Sequence, residues 1–331
     1  METKVKWGIL STAKIGREKV IPAMQKGKYI QVDAIASRNF EMANSVADEL
    51  NIEKRYGSYE ELLNDPNIEA IYIPLPNHMH VPWTIKALEA GKHVLCEKPI
   101  AMNAKEAEEL VQVTKKFPHI KVMEAFMYRF HPQWQKALEL VQSGAIGEVK
   151  TIHSFFSYYN IAPDNIRNQS DIGGGALMDI GCYCISFPRF IFNEEPEKVV
   201  SEMDFDPVMK TDRVSSAMLR FASGKTSTFT SSTQLMPYQR ANIYGDKGHI
   251  EVDIPVNAPP DETVKVTLRT KEKTEIFSFE PIDQYTLQGD EFSKAILDDK
   301  PVPTPLDDAV GNMKVIDAVV TSSKKGQWIT V

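Results

Sequence analysis

Two charged residues, Glu97 and Lys98, follow the apolar run HVLC and stand directly before Pro99. A proline restricts the residue before it to extended backbone conformations, so Pro99 directs Lys98 out of the end of a strand before the next helix begins. A cation in this place can stabilise negative charge that develops on a reacting oxygen. A lysine in such a context is also a common surface loop residue, and that alternative stays open for Lys98 taken alone.

A second candidate stretch, GILSTAKIG, lies between the first apolar run and the first helical pattern. Dinucleotide-binding folds use Gly-x-Gly-x-x-Gly here, because small residues let the pyrophosphate approach the backbone and the helix N-terminus. The pattern is reduced to Ser11-x-Ala13-x-x-Gly16, which a tight turn in any α/β protein would also tolerate. Its position after the first strand favours a nucleotide site, with the predicted cofactor contacts Ser11, Thr12, Ala13 and Ile15.

The second strand ends in AIASRN, where an NAD-selective fold usually carries an acidic residue for the ribose 2′-hydroxyl. Ser37 and Arg38 occupy this place instead. A guanidinium can bind a 2′-phosphate through two hydrogen bonds and can stack on the adenine. We therefore expect NADP to be preferred over NAD. The alternative is that Arg38 is a solvated loop charge.

The elements that carry these residues alternate between short apolar runs and helical patterns. This rhythm predicts βαβ units, a parallel sheet with helices on both faces, and ligands beyond the carboxyl ends of the strands. We predict an N-terminal Rossmann-type, doubly wound domain over residues 1–124. Its predicted strands are residues 5–10, 31–36, 70–73 and 93–96, and its predicted helices are residues 15–25, 41–50, 59–64, 81–90 and 103–116.

From about Thr151 the rhythm changes to alternating patterns such as TIHSFFSYY and VKVTLRTKEKTEIFSF. These predict antiparallel strands, with SGK and GDKG as turns. The predicted fold class is α/β, in which the Rossmann domain is followed over residues 125–331 by an α+β domain with a large, mostly antiparallel sheet. Its predicted helices are residues 132–143, 176–193 and 306–325, and the last of them could pack back on the first domain.

Composition argues against several classes of function. The 331 residues carry a formal net charge of −7, so nothing indicates binding to nucleic acid or to an anionic membrane. The sequence has neither a signal-peptide pattern nor an apolar run long enough to span a membrane, and we expect a cytoplasmic protein. No group of His, Asp or Glu has metal-ligand spacing, so no metal is predicted. Three residues are interpreted as packing cysteines: Cys96, Cys182 and Cys184.

Four motifs occur in order along the chain: PLPNHMH at 74–80, EKP at 97–99, EAFMYRFHPQ at 124–133 and GGGALMDIGCY at 173–183. Together they resemble the Gfo/Idh/MocA oxidoreductase family. More narrowly, they are similar to its branch of glucose–fructose oxidoreductase, NADP-dependent D-xylose dehydrogenase and dimeric dihydrodiol dehydrogenase. The resemblance spans nearly the whole chain.

This resemblance implies that Lys98 is catalytic and lies beside the nicotinamide. It places a catalytic partner four residues after Asp179, where many members have His and this chain has Tyr183. On a helix, a spacing of four puts both side chains on one face. The resemblance also implies looser contacts to the cofactor, from Glu97, Arg129 and the loop residues Pro74, Leu75, Asn77 and His80.

The chemistry of alcohol oxidation supports this assignment independently. A hydride must leave for the nicotinamide and a proton must leave for a base. Tyrosine titrates near about 10, and a neighbouring ammonium group favours its phenolate. Lys98 could supply that charge or could hydrogen-bond the reacting oxygen. The sequence leaves both roles open, and it leaves open whether Tyr183 or Asp179 exchanges the proton.

The predicted function is therefore an NAD(P)-dependent oxidoreductase that transfers a hydride between nicotinamide and a hydroxyl or carbonyl carbon of a sugar or cyclic polyol. An aldose 1-dehydrogenase is one example. The alternative is a non-catalytic, nucleotide-sensing regulator of the same fold. We expect the site in the cleft between the domains, and a homo-oligomer formed through the antiparallel sheet. Candidate substrate contacts are Tyr158, Tyr159, Arg167, Asn168 and Tyr238.

Overall fold

The structure, a computed structural model, describes residues 3–331 and divides into two compact units. Unit 1 contains the chain up to Met127 together with Gln284–Val310. Unit 2 contains Tyr128–Asp283 and Gly311–Val331. The predicted division at residue 124 did not include residues 284–310 in the first domain. The reason is that QYTLQGDEFSKAIL mixes polar and apolar residues without a clear stripe, so its helix was not recognised.

Unit 1 contains a six-stranded parallel sheet in the order β3-β2-β1-β4-β5-β6. The order reverses between β1 and β4, which makes this the doubly wound sheet that the sequence predicted. Neither β3 nor β6 was predicted, because three residues are too few to show a pattern. The strands are β1 (Val5–Leu10), β2 (Ile30–Ala36), β3 (Lys54–Tyr56), β4 (Ala70–Ile73), β5 (His93–Cys96) and β6 (Val122–Glu124).

The first helix of unit 1 begins as a π-helical turn, Gly16–Val20, and continues as α1 (Ile21–Met24). The later helices α2, α3 and α5 each begin after a polar side chain that accepts a hydrogen bond from the first turn: Asn39, Ser58 and Asn103. Helices α2, α3, α4 and α5 begin and end within two residues of the boundaries that periodicity predicted. Their bounds are α2 (Phe40–Glu49), α3 (Tyr59–Leu63), α4 (His80–Glu89) and α5 (Ala104–Thr114).

Unit 2 contains a nine-stranded sheet in the order β14-β13-β12-β11-β7-β10-β9-β8-β15. One pair, β7 with β10, is parallel and the other pairs are antiparallel, which confirms the predicted mostly antiparallel sheet. The strands are β7 (Val149–Tyr159), β8 (Pro196–Phe205), β9 (Asp212–Phe221), β10 (Thr226–Ser232), β11 (Gln234–Gly245), β12 (Gly248–Val252), β13 (Val264–Thr270), β14 (Thr274–Phe279) and β15 (Ile329–Thr330).

The helices of the second half of the chain are divided between the units. Unit 2 has α6 (Pro132–Gln142) and a π-helical turn, Leu177–Gly181, that leads into α7 (Cys182–Phe192). Unit 1 has α8 (Gln284–Leu297), where Ser293 Oγ accepts a hydrogen bond from Trp7 Nε1 of β1 at 3.1 Å. The last helix, α9 (Leu306–Lys325), has its first five residues in unit 1 and the rest in unit 2.

Within residues 3–331, one helical stretch, Ser170–Phe192, is long and apolar enough to cross a membrane by length and composition. Its most apolar window is 83% buried inside the protein. This is weak evidence for a span, because the helix of a protein core passes the same test. All three cysteines are buried, as the packing interpretation predicted.

Candidate active site

The carboxyl edge of the parallel sheet in unit 1 carries most of the predicted cofactor residues. Parallel strands end at a common edge, so the residues that follow them are brought to one side of the sheet. The structure places there the residues that follow β1, β2, β4 and β5: Ser11, Thr12, Ala13, Ile15, Ser37, Arg38, Pro74, Leu75, Asn77, Glu97 and Lys98.

The turn after β1 has a backbone conformation that favours glycine. Ser11 has φ 126°, and its Oγ accepts a hydrogen bond from the Ala13 N–H at 3.0 Å. No side chain caps the π-helical turn that follows. The first main-chain N–H groups of a helix have no partner inside the helix, and an anion is a suitable acceptor for them. This turn therefore fits the pyrophosphate of a dinucleotide.

Arg38, which follows β2, interacts with a residue that the sequence analysis did not single out. The side chains of Arg38 and Ser11 both act to lower the pKa of the Tyr59 hydroxyl. Tyr59 is only 5% exposed, and burial raises the pKa of its hydroxyl, while the Arg38 charge opposes this shift. Tyr59 follows β3. Because β3 was not predicted, nothing in the sequence placed this tyrosine at the ligand edge.

The turn after β5 is tied to β4 through a buried tyrosine. Tyr72 Oη donates a hydrogen bond to Glu97 Oε1 at 2.6 Å, and burial together with the Glu97 charge raises the pKa of Tyr72 well above its ordinary value. Lys98 is half-buried, and the Lys98–Pro99 peptide bond is cis. Beyond the proline, Glu124 Oε1 accepts a hydrogen bond from the Ile100 N–H at 2.7 Å. Glu97 is thus anchored in the sheet beside Lys98.

His80 joins two loops at this edge. Its Nδ1 lies 2.8 Å from the Pro99 carbonyl oxygen and its Nε2 lies 2.7 Å from the Leu75 carbonyl oxygen. The ring is 1% exposed, and burial lowers the pKa of His80 to about 4 although both carbonyl groups favour its protonated form. His80 was predicted as a cofactor contact. In the structure its ring nitrogens instead connect the loop after β4 with the turn after β5.

In unit 2, Asp179 receives two hydrogen bonds on one carboxylate oxygen. Tyr158 Oη donates to Asp179 Oδ2 at 2.6 Å, and Arg167 Nε donates to the same atom at 2.9 Å. Burial and the Asp179 charge raise the pKa of Tyr158 far above its ordinary value. These two donors orient the carboxylate and complement its charge. The sequence pattern did not reveal that Arg167 and Tyr158 would both bind Asp179.

The predicted helical spacing between Asp179 and Tyr183 is altered, because Asp179 lies in the π-helical turn and Tyr183 in α7. Such turns inside helices are frequent at functional sites. Tyr183 is 4% exposed, and its ring lies 6.0 Å from that of Tyr128 and 6.2 Å from that of Phe156. Asp179 thus accepts hydrogen bonds from Tyr158 and Arg167, and the Tyr183 ring packs against two other aromatic rings.

A compact loop before this helix positions Arg167. The Arg167 carbonyl oxygen accepts a hydrogen bond from the Gly175 N–H at 2.8 Å. Asn168 is 3% exposed and its Nδ2 donates to the Ala162 carbonyl oxygen at 2.9 Å. A Cβ added to Gly174 would lie only 2.6 Å from the Arg167 carbonyl oxygen, so the loop packs too closely for a side chain there.

Asp212 of β9 anchors the beginning of the same helix. Its Oδ2 accepts hydrogen bonds from the Leu177 N–H at 2.7 Å and from Ser215 Oγ at 2.6 Å. A Cβ on Gly175, which has φ 121°, would overlap the Asp212 carboxylate. Burial raises the pKa of Asp212 to about 6, while its hydrogen bonds oppose that shift. This buried cap was not visible in the sequence.

The remaining predicted residues of unit 2 are not gathered around Asp179. Tyr159 and Tyr238 are 61% and 51% exposed, and the Tyr238 ring packs against Phe155 at 5.8 Å. Arg129 is 8% exposed and its Nη2 donates to Ser186 Oγ of α7 at 2.8 Å. Among the candidate substrate contacts, Tyr158 and Arg167 are thus the two that meet on Asp179.

The structure contains no group of three or more His, Cys, Asp or Glu side chains that could hold a metal ion, as far as residues 3–331 are concerned. The polar groups at the carboxyl edge of this doubly wound sheet include a turn without a side-chain cap, an arginine after β2 and a lysine after β5. These features define a dinucleotide-binding protein of the oxidoreductase type.

Two family models match the chain. Residues 5–126 match the model described as an oxidoreductase family with an NAD-binding Rossmann fold, and residues 134–251 match the GFO/IDH/MocA C-terminal domain. The chain therefore belongs to the Gfo/Idh/MocA oxidoreductase family, as the four motifs predicted. It is an oxidoreductase with an NAD(P)-binding Rossmann fold.

Known proteins are similar over almost the full length of this chain. An uncharacterised oxidoreductase of Rhizobium meliloti is 43% identical, covering 99% of each chain. A D-xylose 1-dehydrogenase (NADP(+)) of Haloferax volcanii is 36% identical, covering 97% of this chain and 98% of the relative. The crystal structure of a 3-ketoreductase from Actinomadura kijaniata, in complex with NADP and TDP-benzene, has a TM-score of 0.91 at 28% identity and covers 97% of this chain and 98% of its own.

Proposed function

We propose that the protein is an NADP-dependent dehydrogenase or reductase that acts on a CH–OH group of a sugar or cyclic polyol. Oxidation of the anomeric carbon of an aldose to a lactone is one version of this reaction. The names of the relatives support the substrate class, since one is a D-xylose 1-dehydrogenase and another a 3-ketoreductase that was crystallised with NADP.

One observation carries the choice of NADP. β2 is followed by Ser37 and Arg38 rather than by an acid, and β2 pairs with β1, whose following turn fits a pyrophosphate. The guanidinium therefore lies on the side of the sheet edge where a dinucleotide would approach that turn. A carboxylate there would repel a 2′-phosphate, whereas a guanidinium would bind it.

The turn after β1 would hold the pyrophosphate through its main-chain N–H groups, and Arg38 with Ser37 would hold the 2′-phosphate. When bound, the nicotinamide supplies the chemistry by accepting or donating a hydride. We assign the cation beside the reacting oxygen to Lys98, which follows β5 and directly precedes Pro99. Its charge would stabilise alkoxide character on the substrate oxygen.

We assign proton exchange to Tyr183 rather than to Asp179. Asp179 already accepts hydrogen bonds from Tyr158 and from Arg167, and both contacts favour its role as a fixed charge. A carboxylate that is engaged in this way is a poor acceptor for a further proton. Tyr183, one helical turn further along the chain, carries a hydroxyl that a cation can make acidic enough to take part.

The second candidate function is a nucleotide-sensing regulator without chemistry. The two are separated by incubating the purified protein with NADP and a panel of aldoses and cyclic polyols, while following the absorbance of the reduced cofactor. Turnover with any sugar supports the enzyme. Tight NADP binding without turnover on any of them, and without reoxidation of NADPH by the corresponding carbonyl compounds, favours the regulator.

We also propose that the protein is a homo-oligomer that associates through the sheet of unit 2. Several of its strands present large apolar side chains to solvent: Met218, Tyr238 and Ile276 are 36%, 51% and 56% exposed. Light scattering during gel filtration tests this, and Met218→Lys with Ile276→Lys should shift the protein towards the monomer.

A further inference from the structure

The helix that carries Asp179 begins without a capping side chain of its own. Ala176 stands at its N-cap position and makes no capping hydrogen bond, whereas three helices of unit 1 are capped by the residue directly before them. The acceptor comes instead from Asp212, 35 residues further along the chain, whose Oδ2 accepts the Leu177 N–H at 2.7 Å. A carboxylate there satisfies a main-chain donor and complements the helix dipole. The start of this helix is therefore fixed to the sheet by a distant residue.

The Asp212 carboxylate is held in its turn by buried groups around it. Ser215 Oγ donates to the same Oδ2 at 2.6 Å, and both residues are buried. On the other oxygen, the backbone of Gly175 approaches so closely that a Cβ would overlap Asp212 Oδ1. A buried carboxylate is costly unless hydrogen bonds satisfy it, and a neutral Asn or Ser cap avoids that cost. The buried charge thus indicates that the position of this helix start is under a tighter requirement than capping alone.

Gly175 connects this anchor to both members of the Arg167–Asp179 ion pair. Its N–H donates to the Arg167 carbonyl oxygen at 2.8 Å, and its own carbonyl oxygen accepts the Asp179 N–H at 3.0 Å. The Arg167 side chain then returns to Asp179, with 2.9 Å between Nε and Oδ2. The three residues form a closed ring of hydrogen bonds. A displacement of Gly175 therefore changes the distance between the guanidinium and the carboxylate.

We propose that Asp212 is a positioning residue for the substrate side of the site: it holds Gly175 and Leu177 in place and through them sets the geometry of the Arg167–Asp179 pair. This inference rests on the proposed function, in which Asp179 is a fixed charge on the substrate side. Asp212 acts through the main chain and has no assigned contact with the substrate. Its loss should change the kinetics with the sugar and leave NADP binding, which we assign to unit 1, unchanged.

The test compares Asp212→Ala, which removes the acceptor, with Asp212→Asn, which removes the charge and keeps an oxygen for the Leu177 N–H. With the best sugar found for the wild type, kcat/KM of Asp212→Ala should fall about 10-fold or more, and the dissociation constant of NADP should change less than about 2-fold. Asp212→Asn should recover kcat/KM to within about 3-fold of the wild type. Equal losses in the two variants would contradict the role of this hydrogen bond.

Ser215→Ala gives a milder form of the same test if Asp212→Ala does not fold. It removes the hydroxyl that orients Asp212 and keeps the carboxylate. We expect kcat/KM for the sugar to fall about 2- to 5-fold, the effect of one hydrogen bond, with unchanged NADP binding. A folded Ser215→Ala variant with the kcat/KM of the wild type would overturn the inference.

Asp206→Ala is the matched control. Asp206 is also a buried aspartate of unit 2, in the turn before β9, and its Oδ1 accepts the N–H groups of Val208 at 2.8 Å and Met209 at 2.9 Å. These main-chain groups belong to that turn and not to the helix of Asp179. The variant should lower the melting temperature and leave kcat/KM unchanged. Equal falls of kcat/KM in Asp206→Ala and Asp212→Ala would overturn the inference, because a general loss of order would then explain both.

Hydrogen exchange separates this inference from the proposed function, because it requires no substrate. In Asp212→Ala the main-chain amides of Gly175, Leu177 and Asp179 should exchange about 10-fold faster than in the wild type, and in Asp206→Ala at the rate of the wild type. If the wild type acts on no sugar, the proposed function fails, and exchange still decides whether Asp212 holds this segment. Unchanged exchange would overturn the inference. Faster exchange with an unchanged kcat/KM would overturn it too, because order in this segment would then not affect the substrate side.

Discussion

Unit 1 and unit 2 fix their candidate functional side chains in different ways. In unit 1 the candidates follow the ends of parallel strands, and buried groups such as His80 and Glu124 tie the loops to one another through main-chain atoms. In unit 2, Asp179 is held by two side chains, Tyr158 from a strand and Arg167 from an irregular loop. Position therefore depends on topology in the first unit and on side-chain hydrogen bonding in the second.

The largest expected effect comes from removing the one candidate of each unit to which we assign chemistry. Lys98→Met removes the cation, and Tyr183→Phe removes the hydroxyl. Each should lower turnover about a hundredfold or more and leave NADP affinity within a few-fold, because we assign both lost interactions to the reacting oxygen. Steady-state rates across pH, together with NADP titrations, provide the measurement.

The double variant shows whether the two residues act as one group. If Lys98 lowers the proton affinity of Tyr183, the combined loss should be much smaller than the product of the single losses. Multiplicative losses would mean that each residue acts independently. Near-normal turnover of Tyr183→Phe would remove the tyrosine from the proton role and make Asp179, or a water molecule, the candidate.

The second prediction tests whether Arg38, which the sheet topology places after β2, makes the protein prefer NADP over NAD. Arg38→Ala should weaken NADP binding by about 1.5–3 kcal/mol, the range of a hydrogen bond to a charged group, and should change NAD binding less. Ser37→Ala removes an uncharged hydroxyl that we also place at the 2′-phosphate, so it should weaken NADP binding less than Arg38→Ala does. Equal losses for NADP and NAD in Arg38→Ala would show that the arginine does not read the 2′-phosphate.

The difference between the two units also explains which site residues could be predicted from the sequence. Strand periodicity was enough to put Arg38 and Lys98 at the ends of β2 and β5, because any residue after a parallel strand reaches the ligand edge. Tyr59 was missed because its strand, β3, has only three residues. In unit 2, the motif GGGALMDIGCY led to Asp179 and Tyr183. Of the two partners of Asp179, Tyr158 lies in the predicted strand TIHSFFSYY, whereas Arg167 comes from a loop without periodicity, whose fold depends on close packing at Gly174.

The third effect concerns helix caps, which titrate in one unit and not in the other. Three helices of unit 1 are capped by Asn39, Ser58 and Asn103. Helix α6 of unit 2 is capped by His131, whose Nδ1 accepts from the Gln133 N–H at 3.2 Å. Burial lowers the pKa of His131 to about 4. Protonation at Nδ1 would also remove the acceptor and end the cap.

The sign of the pH effect follows from this lowered pKa. The unfolded chain binds a proton below about 6.5 and the folded protein only below about 4, so stability is lost as pH falls through this window. By pH 5 the loss should be about 1–2 kcal/mol. His131→Asn keeps a capping acceptor but does not titrate, so urea unfolding at pH 7 and pH 5 should show a smaller loss than in the wild type. Parallel losses in both proteins would exclude His131 as the cause. The titration of His80 is common to both and cancels.

The smallest effect uses one chemical change in both units. Tyr158→Phe and Tyr72→Phe each remove a phenol that donates to a carboxylate at 2.6 Å, Asp179 in unit 2 and Glu97 in unit 1. Asp179 keeps the hydrogen bond from Arg167, so its orientation is weakened and not abolished. We expect Tyr158→Phe to lower turnover about 3- to 10-fold, the value of one hydrogen bond, with unchanged NADP affinity.

Tyr72→Phe should change cofactor binding rather than the kinetics of the substrate. Glu97 is anchored in the Rossmann sheet, so loss of its tyrosine should raise the dissociation constant of NADP a few-fold and leave the KM for the sugar almost unchanged. Measuring both constants for both variants gives a two-by-two comparison. If Tyr158→Phe weakened NADP binding while Tyr72→Phe changed only the sugar parameters, the assignment of Glu97 to cofactor binding and of Asp179 to the substrate side would be reversed. A separation in the expected direction would mean that similar phenol–carboxylate bonds serve cofactor binding in one unit and substrate chemistry in the other.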